Sequence, residues 1–151
     1  MINCSNCECE FTSYFFYVAE CEYNCAASFC GGTLLSTDTV LTAAHCGDDK
    51  DLSEWKVVVG VHNWDSWQPE MDHTPCKRIP HPGYDGIEDY LDNDFAIVKL
   101  KDAVTYSPSV RPACLPSPYT DYDNVSATVS GWGRLAAEAF ETPKILQKVD
   151  N

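Results

Sequence analysis

From Phe29 onward the chain alternates short apolar runs with clusters of turn-forming residues. The runs are FCGGTLL, TVLTAAHC, EWKVVVG, DFAIVKL, ATVSGWG and KILQKV. Short runs enriched in β-branched residues and bounded by Gly, Asp, Asn or Ser read as strands. No sustained 3.6-residue repeat competes with them, so the pattern predicts an all-β sandwich or barrel. One stretch breaks the rhythm. In VTYSPSVRPACLPSPYTDYDNVS, Pro108, Pro112, Pro116 and Pro118 lack the amide that a central strand must donate. An extended surface linker is expected over about residues 104–124, with a second group of strands beginning near residue 125. The sequence carries no internal repeat and no low-complexity tract.

Residues 1–28 differ from the rest. They hold Cys4, Cys7, Cys9, Cys21 and Cys25 and no basic residue, and the first Lys or Arg of the chain is Lys50. They are set apart as a Cys-rich N-terminal segment. With 151 residues, 44% of them hydrophobic, the chain is long enough to bury one core. Its nine cysteines point to an oxidising, extracellular setting with disulfides, and the odd number leaves one thiol over. Asn3-Cys4-Ser5 and Asn124-Val125-Ser126 match the N-glycosylation acceptor pattern. The run YFFYVA lacks a positive flank, so no signal peptide is recognised, and no run is long enough to span a membrane. A net charge of −13 repels phosphate backbones and anionic lipid, which argues against nucleic acid and membranes as partners.

The stretch VLTAAHCGDD ends an apolar run on His45 beside Cys46. If Leu35 and Leu41 oppose each other across the turn STDT, the hairpin is centred on Asp38 and Cys30 faces Cys46. Opposed residues in an antiparallel pair lie close enough for a disulfide. Such a staple would hold His45 rigidly at the end of a strand, where a histidine serves either as a hydrogen-bonded core residue or as a general base. A base needs an acceptor for its other ring nitrogen, and DNDFAIVKL offers Asp94, with Asp92 close by. His62, His73 and His81 have no metal-ligand spacing and are expected on surfaces or loops. Cys4-x2-Cys7 and Cys21-x3-Cys25 have the spacing of zinc ligands, but the additional Cys9 and the extracellular setting favour disulfides. Glu70 and Asp72 follow the VVVG run as an acidic pair, with Val61 rather than a carboxylate directly after that run. No metal and no cofactor are expected.

FCGGTLLSTDTVLTAAHC, PHPGYD, DNDFAIVKL, VRPACLP and VSGWGRL occur in the order found in the trypsin/chymotrypsin-like serine endopeptidases, which the chain resembles over about residues 29–150. The resemblance implies two six-stranded antiparallel β-barrels with the active site in the cleft between them. The first barrel would occupy about residues 14–101, and the second would begin at about residue 125 and be represented only to residue 151. His45 would be the catalytic base and Asp94 its orienter, roles for which this family is itself the type example. Cys30 and Cys46 resemble the disulfide beside that histidine. Cys114 resembles a cysteine that tethers an N-terminal propeptide or light chain in some members. The substrates implied are proteins or peptides, and the location implied is extracellular.

Two departures limit the carry-over. Residues 1–151 contain no Gly-Asp-Ser-Gly-Gly stretch, which in the family supplies both the nucleophile and the oxyanion donors. The last serine, Ser130, lies in the strand-like SGWG. No IVGG-like segment follows a basic residue ahead of Phe29 either. An oxyanion hole alone contributes roughly 10²–10³ in rate. Residues 1–151 are therefore expected to be inactive on their own, as part of a longer endopeptidase. The alternatives are a non-catalytic homologue that binds a protein partner, and a zinc- or disulfide-rich N-terminal module unrelated to the barrel. The pairing of Cys76 is open at this level.

Overall fold

The computed structural model describes residues 30–48, 51–86, 92–119 and 121–150. The segment 1–28, with its five cysteines and Asn3, lies outside the described residues. Among the described residues eight strands follow in order: β1 (Gly32–Ser36), β2 (Thr39–Thr42), β3 (Val57–Val58), β4 (Asp72–His73), β5 (Pro75–Pro80), β6 (Ala96–Leu100), β7 (Thr128–Gly131) and β8 (Gln147–Asp150). β1, β2, β6 and β5 form one antiparallel sheet in that spatial order, while β3 pairs with β4 and β7 with β8. Among the described residues no helix is long and apolar enough to cross a membrane.

The strands follow from alternation. In β6, Ala96, Val98 and Leu100 are buried while Ile97 and Lys99 are half-buried, the period-2 signature of a sheet with one face on the core. Leu34, Val40, Trp55, Val57, Val59, Val98 and Leu100 close that core together with Val104 and Val110. The last two residues correct the expected linker. It is extended, but not wholly on the surface, because Val104 donates its amide to Thr37 O and Ala113 donates to Leu34 O. Those bonds draw the linker along β1 and allow two of its valines to bury.

Alternation also divides the run VVVGV. Val57 and Val59 join the first core, whereas Val58 and Val61 face a second cluster with Trp132. The β7–β8 hairpin is anchored by this cluster. Trp132 packs on Trp64 with ring centroids 5.2 Å apart, and Lys144 O accepts bonds from both Trp132 Nε1 and Trp64 N at 3.0 Å. Beyond that anchor the hairpin exposes Val129 and Val149, which oppose each other across the ladder.

The β1–β2 register differs from the expectation. Thr33, not Leu35, opposes Leu41, and Leu34 opposes Val40, with an irregularity between Leu34 and Ser36. The expected register differs from this one by two residues, which leaves each side chain on its own face but would set Leu34 opposite Thr42; the observed pairing puts the two core residues Leu34 and Val40 directly opposite each other. The turn is fixed by Asp38, whose carboxylate accepts from Ser36 Oγ and Thr39 Oγ1 at 2.8 Å and meets Lys99 Nζ at 2.8 Å. The Lys99 bond, aided by the two hydroxyls, holds the Asp38 carboxyl well below the usual carboxylate range. The sequence pattern does not predict β5, because Pro75 and Pro80 bound it. It is an edge strand, where proline is tolerated at the ends. His73, expected on a surface or loop, sits half-buried in β4, and its loss of solvation lowers its pKa against the pull of Asp72 and Asp102.

Candidate active site

Register assembles the site. Thr42 pairs with Ala96, and Ala96 with Pro80, so β2, β6 and β5 end in one row. His45 lies three residues beyond that row, Asp94 two residues before it, and the turn His81-Pro82-Gly83-Tyr84 just past it. Residues far apart in sequence therefore meet at one end of a rigid sheet, a suitable platform for a precise constellation.

After Thr42 the chain leaves the ladder for a 3₁₀ turn over His45–Gly47. This turn joins Cys30 to Cys46, with Cα atoms 6.1 Å apart. The strand register alone would have placed Cys30 opposite Ala44; the change of path brings Cys46 to it. Gly47 is required here, because a Cβ would collide with Arg78 Nε and lie 2.8 Å from Trp55 Cη2.

His45 and Asp94 are bonded twice. The His45 amide donates to Asp94 Oδ1 at 2.8 Å, and ring Nδ1 lies 2.7 Å from Oδ2. Burial pushes the Asp94 carboxyl up, but bonds from the His45 ring and from the His45 and Ala44 amides outweigh it, and the carboxyl titrates below its ordinary value. Asp94 is thus a carboxylate at neutral pH, and the proton between the two groups belongs on Nδ1. In the neutral ring Nε2 is then the lone-pair acceptor; it lies 3.7 Å from Cys46 Sγ, on a side chain 52% exposed. Of the two candidate acids, Asp94 rather than Asp92 is the one that bonds His45. Asp94 itself is positioned by its neighbours: His81 N donates to Phe95 O at 2.8 Å, Asn93 Nδ2 donates to Gly83 O, and Asn93 takes a positive φ of 58°.

Of the other candidates, Cys114 is exposed on the linker and Cys76 is an exposed free thiol on β5. Asp72 accepts a bond from Trp67 Nε1. Among the described residues, the one group with three ligand atoms within metal-binding range is Cys30, His45 and Cys46, and its two sulfurs are joined to each other. Sequence reasoning missed Arg78, Asp48 and Tyr84, which surround the His45 turn. Tyr84 and Asp48 lie inside the quoted motifs, but nothing in their spacing signals a contact with Arg78.

The antiparallel sheets fit a chymotrypsin-like fold. The Trypsin family profile matches residues 10–151. The chain belongs to the trypsin family. It is 35% identical over 123 residues to Serine proteinase stubble of Drosophila melanogaster, covering 80% of this chain and 15% of that protein. It is 37% identical over 126 residues to Venom serine protease 34 of Apis mellifera, covering 79% and 31%. With Trypsin II-P29 of Gallus gallus it shares 34% over 125 residues, covering 82% and 48%. A solved structure described as "Structure of GrC" superposes with a TM-score of 0.72 at 32% identity, covering 91% of this chain and 57% of that one. The chain thus spans less than half the length of each of these three relatives.

Proposed function

We propose that these residues form the base-bearing half of a secreted serine endopeptidase that cleaves peptide bonds by acyl transfer. The observation that carries this reading is the 2.7 Å contact between His45 Nδ1 and Asp94 Oδ2, made by a histidine whose side chain is about half exposed. In that role Asp94 fixes the tautomer and ring orientation, and Nε2 takes the proton of a serine hydroxyl and returns it to the leaving amine. The serine and its oxyanion donors are not among residues 1–151, so these residues by themselves are inactive. The substrate is a protein or peptide, and the reaction uses no cofactor. The first barrel extends to about residue 101, the linker covers about 104–124, and the second barrel starts near 125. Cys114 tethers this domain to one of the N-terminal cysteines.

A fluorophosphonate probe tests the proposal. Residues 1–151 should remain unlabelled, and a longer chain that supplies the Gly-Asp-Ser-Gly-Gly stretch should be labelled in a manner abolished by His45→Ala. Labelling of the 151-residue chain, or labelling of the longer one that is indifferent to His45, overturns it. A non-reducing peptide map without a link from Cys114 to residues 1–28 rejects the tether.

A further inference from the structure

Around the His45 turn lies a second polar network that does not touch the ring. Arg78, on edge strand β5, donates from Nη2 to Ala44 O, the carbonyl immediately before His45, and meets Asp48 Oδ1 at 3.0 Å. The Tyr84 hydroxyl donates to the other Asp48 oxygen. That bond pushes the Tyr84 phenol up to about 12, so it stays a donor at any ordinary pH. Ala44 O also accepts the first 3₁₀ bond from Gly47 N, and Asp48 N donates to His45 O. The residues on both sides of His45 are therefore held by one guanidinium and one carboxylate, with Gly47 pressed against Arg78 and Trp55.

We infer that Arg78, Asp48 and Tyr84 are positioning residues that fix the 3₁₀ turn so that His45 keeps both of its bonds to Asp94. The inference rests on the proposed role of His45 as a base and adds three residues to it. The geometry favours a clamp over simple surface pairing. A guanidinium that binds a backbone carbonyl and a carboxylate together constrains direction as well as distance. The contacts come from β5 and from the turn after it, elements joined by the sheet to the strand that follows Asp94. The base and its orienter are thereby referred to the same frame.

The test reads His45 directly and needs no nucleophile. In the isotope-labelled 151-residue chain, two signals report the double bond to Asp94: the exchange rate of the His45 amide and the deshielded Nδ1 proton, assigned by its loss in His45→Ala. Arg78→Met and Asp48→Ala should each speed amide exchange about tenfold or more and broaden the Nδ1 proton. Tyr84→Phe, which removes one exposed hydroxyl and leaves the fold intact, should speed exchange several-fold. Arg78→Lys should recover part of the protection. Val59→Ala, a core truncation outside the Arg78–Asp48–Tyr84 network, serves as the control for general loss of stability. The inference is overturned if Tyr84→Phe and the Arg78 variants leave both signals unchanged, or if Val59→Ala moves them equally. Fluorophosphonate labelling does not enter these measurements, so failure of the catalytic proposal and failure of the clamp are told apart.

Discussion

His45 and Asp94 share two hydrogen bonds, one through the backbone amide and one through the ring, at 2.8 and 2.7 Å. The carboxylate therefore fixes where the histidine backbone sits as well as which ring nitrogen carries the proton. A carboxamide can accept only one of these bonds, and its NH₂ would face a donor. In a longer chain that supplies the serine, as proposed above, Asp94→Asn should lower kcat by about 10⁴, the size given by the Ser-His-Asp template. Steady-state kinetics with a peptide substrate check it, and a loss confined to KM would contradict the assigned role.

Two of the carboxylates held below their ordinary pKa bear on the acid limb of stability. Asp94 and Asp38 both titrate below their ordinary values in the folded chain. Each therefore stabilises the fold above the unfolded carboxylate pKa of about 3.9, and that contribution is lost as pH falls toward the folded value. Asp38→Asn should be less stable than the parent chain at pH 7, with the gap closing below about pH 4. Urea unfolding at neutral pH and again about four units lower measures it; a gap of constant size would contradict the assignment.

The Cys30–Cys46 bridge closes a loop of separation 16 and holds the His45 turn to the start of β1. Replacing both cysteines by alanine should cost about 3 kcal/mol in the chain-entropy account. Denaturant unfolding of the double variant reports this loss, and the His45 amide should lose protection before β6 does in hydrogen exchange.

Trp132 joins the last hairpin to the rest. It is buried against Trp64 and bonded to Lys144 O. Trp132→Ala should cost about 3–5 kcal/mol, the usual range for truncating a packed aromatic. Hydrogen exchange should show the loss concentrated in residues 128–150 while β2 and β6 keep their protection. An even loss across both regions would mean that the two cores unfold as one.

The strand pattern of β1, β2 and β6 is legible in the sequence because alternation with β-branched residues has one simple solution, a sheet with one buried face. β5 is not legible. Prolines at both ends obscure an edge strand, whose legitimacy depends on which neighbour it has. His45 and Asp94 are legible from the motifs around them, whereas the Arg78–Asp48–Tyr84 network is not. Arg78 and Tyr84 lie 30 and 36 residues from Asp48 along the chain, and hydrogen bonding at that range leaves no local period.

The sequence by itself pointed to an all-β chain through its near-neighbour pattern, and the motifs that resemble the trypsin family pointed to a candidate base and orienter and to the cysteine pair beside them. Tertiary structure decided the register of β1 against β2, the burial of Val104 and Val110, the docking of Trp132 and the clamp on the His45 turn. Those outcomes depend on which faces can bury together and which polar groups then come within bonding distance. Even the disulfide illustrates the division. Cys30 and Cys46 are identifiable as a pair, but they meet because the chain leaves the ladder after Thr42, not because the ladder places them opposite each other.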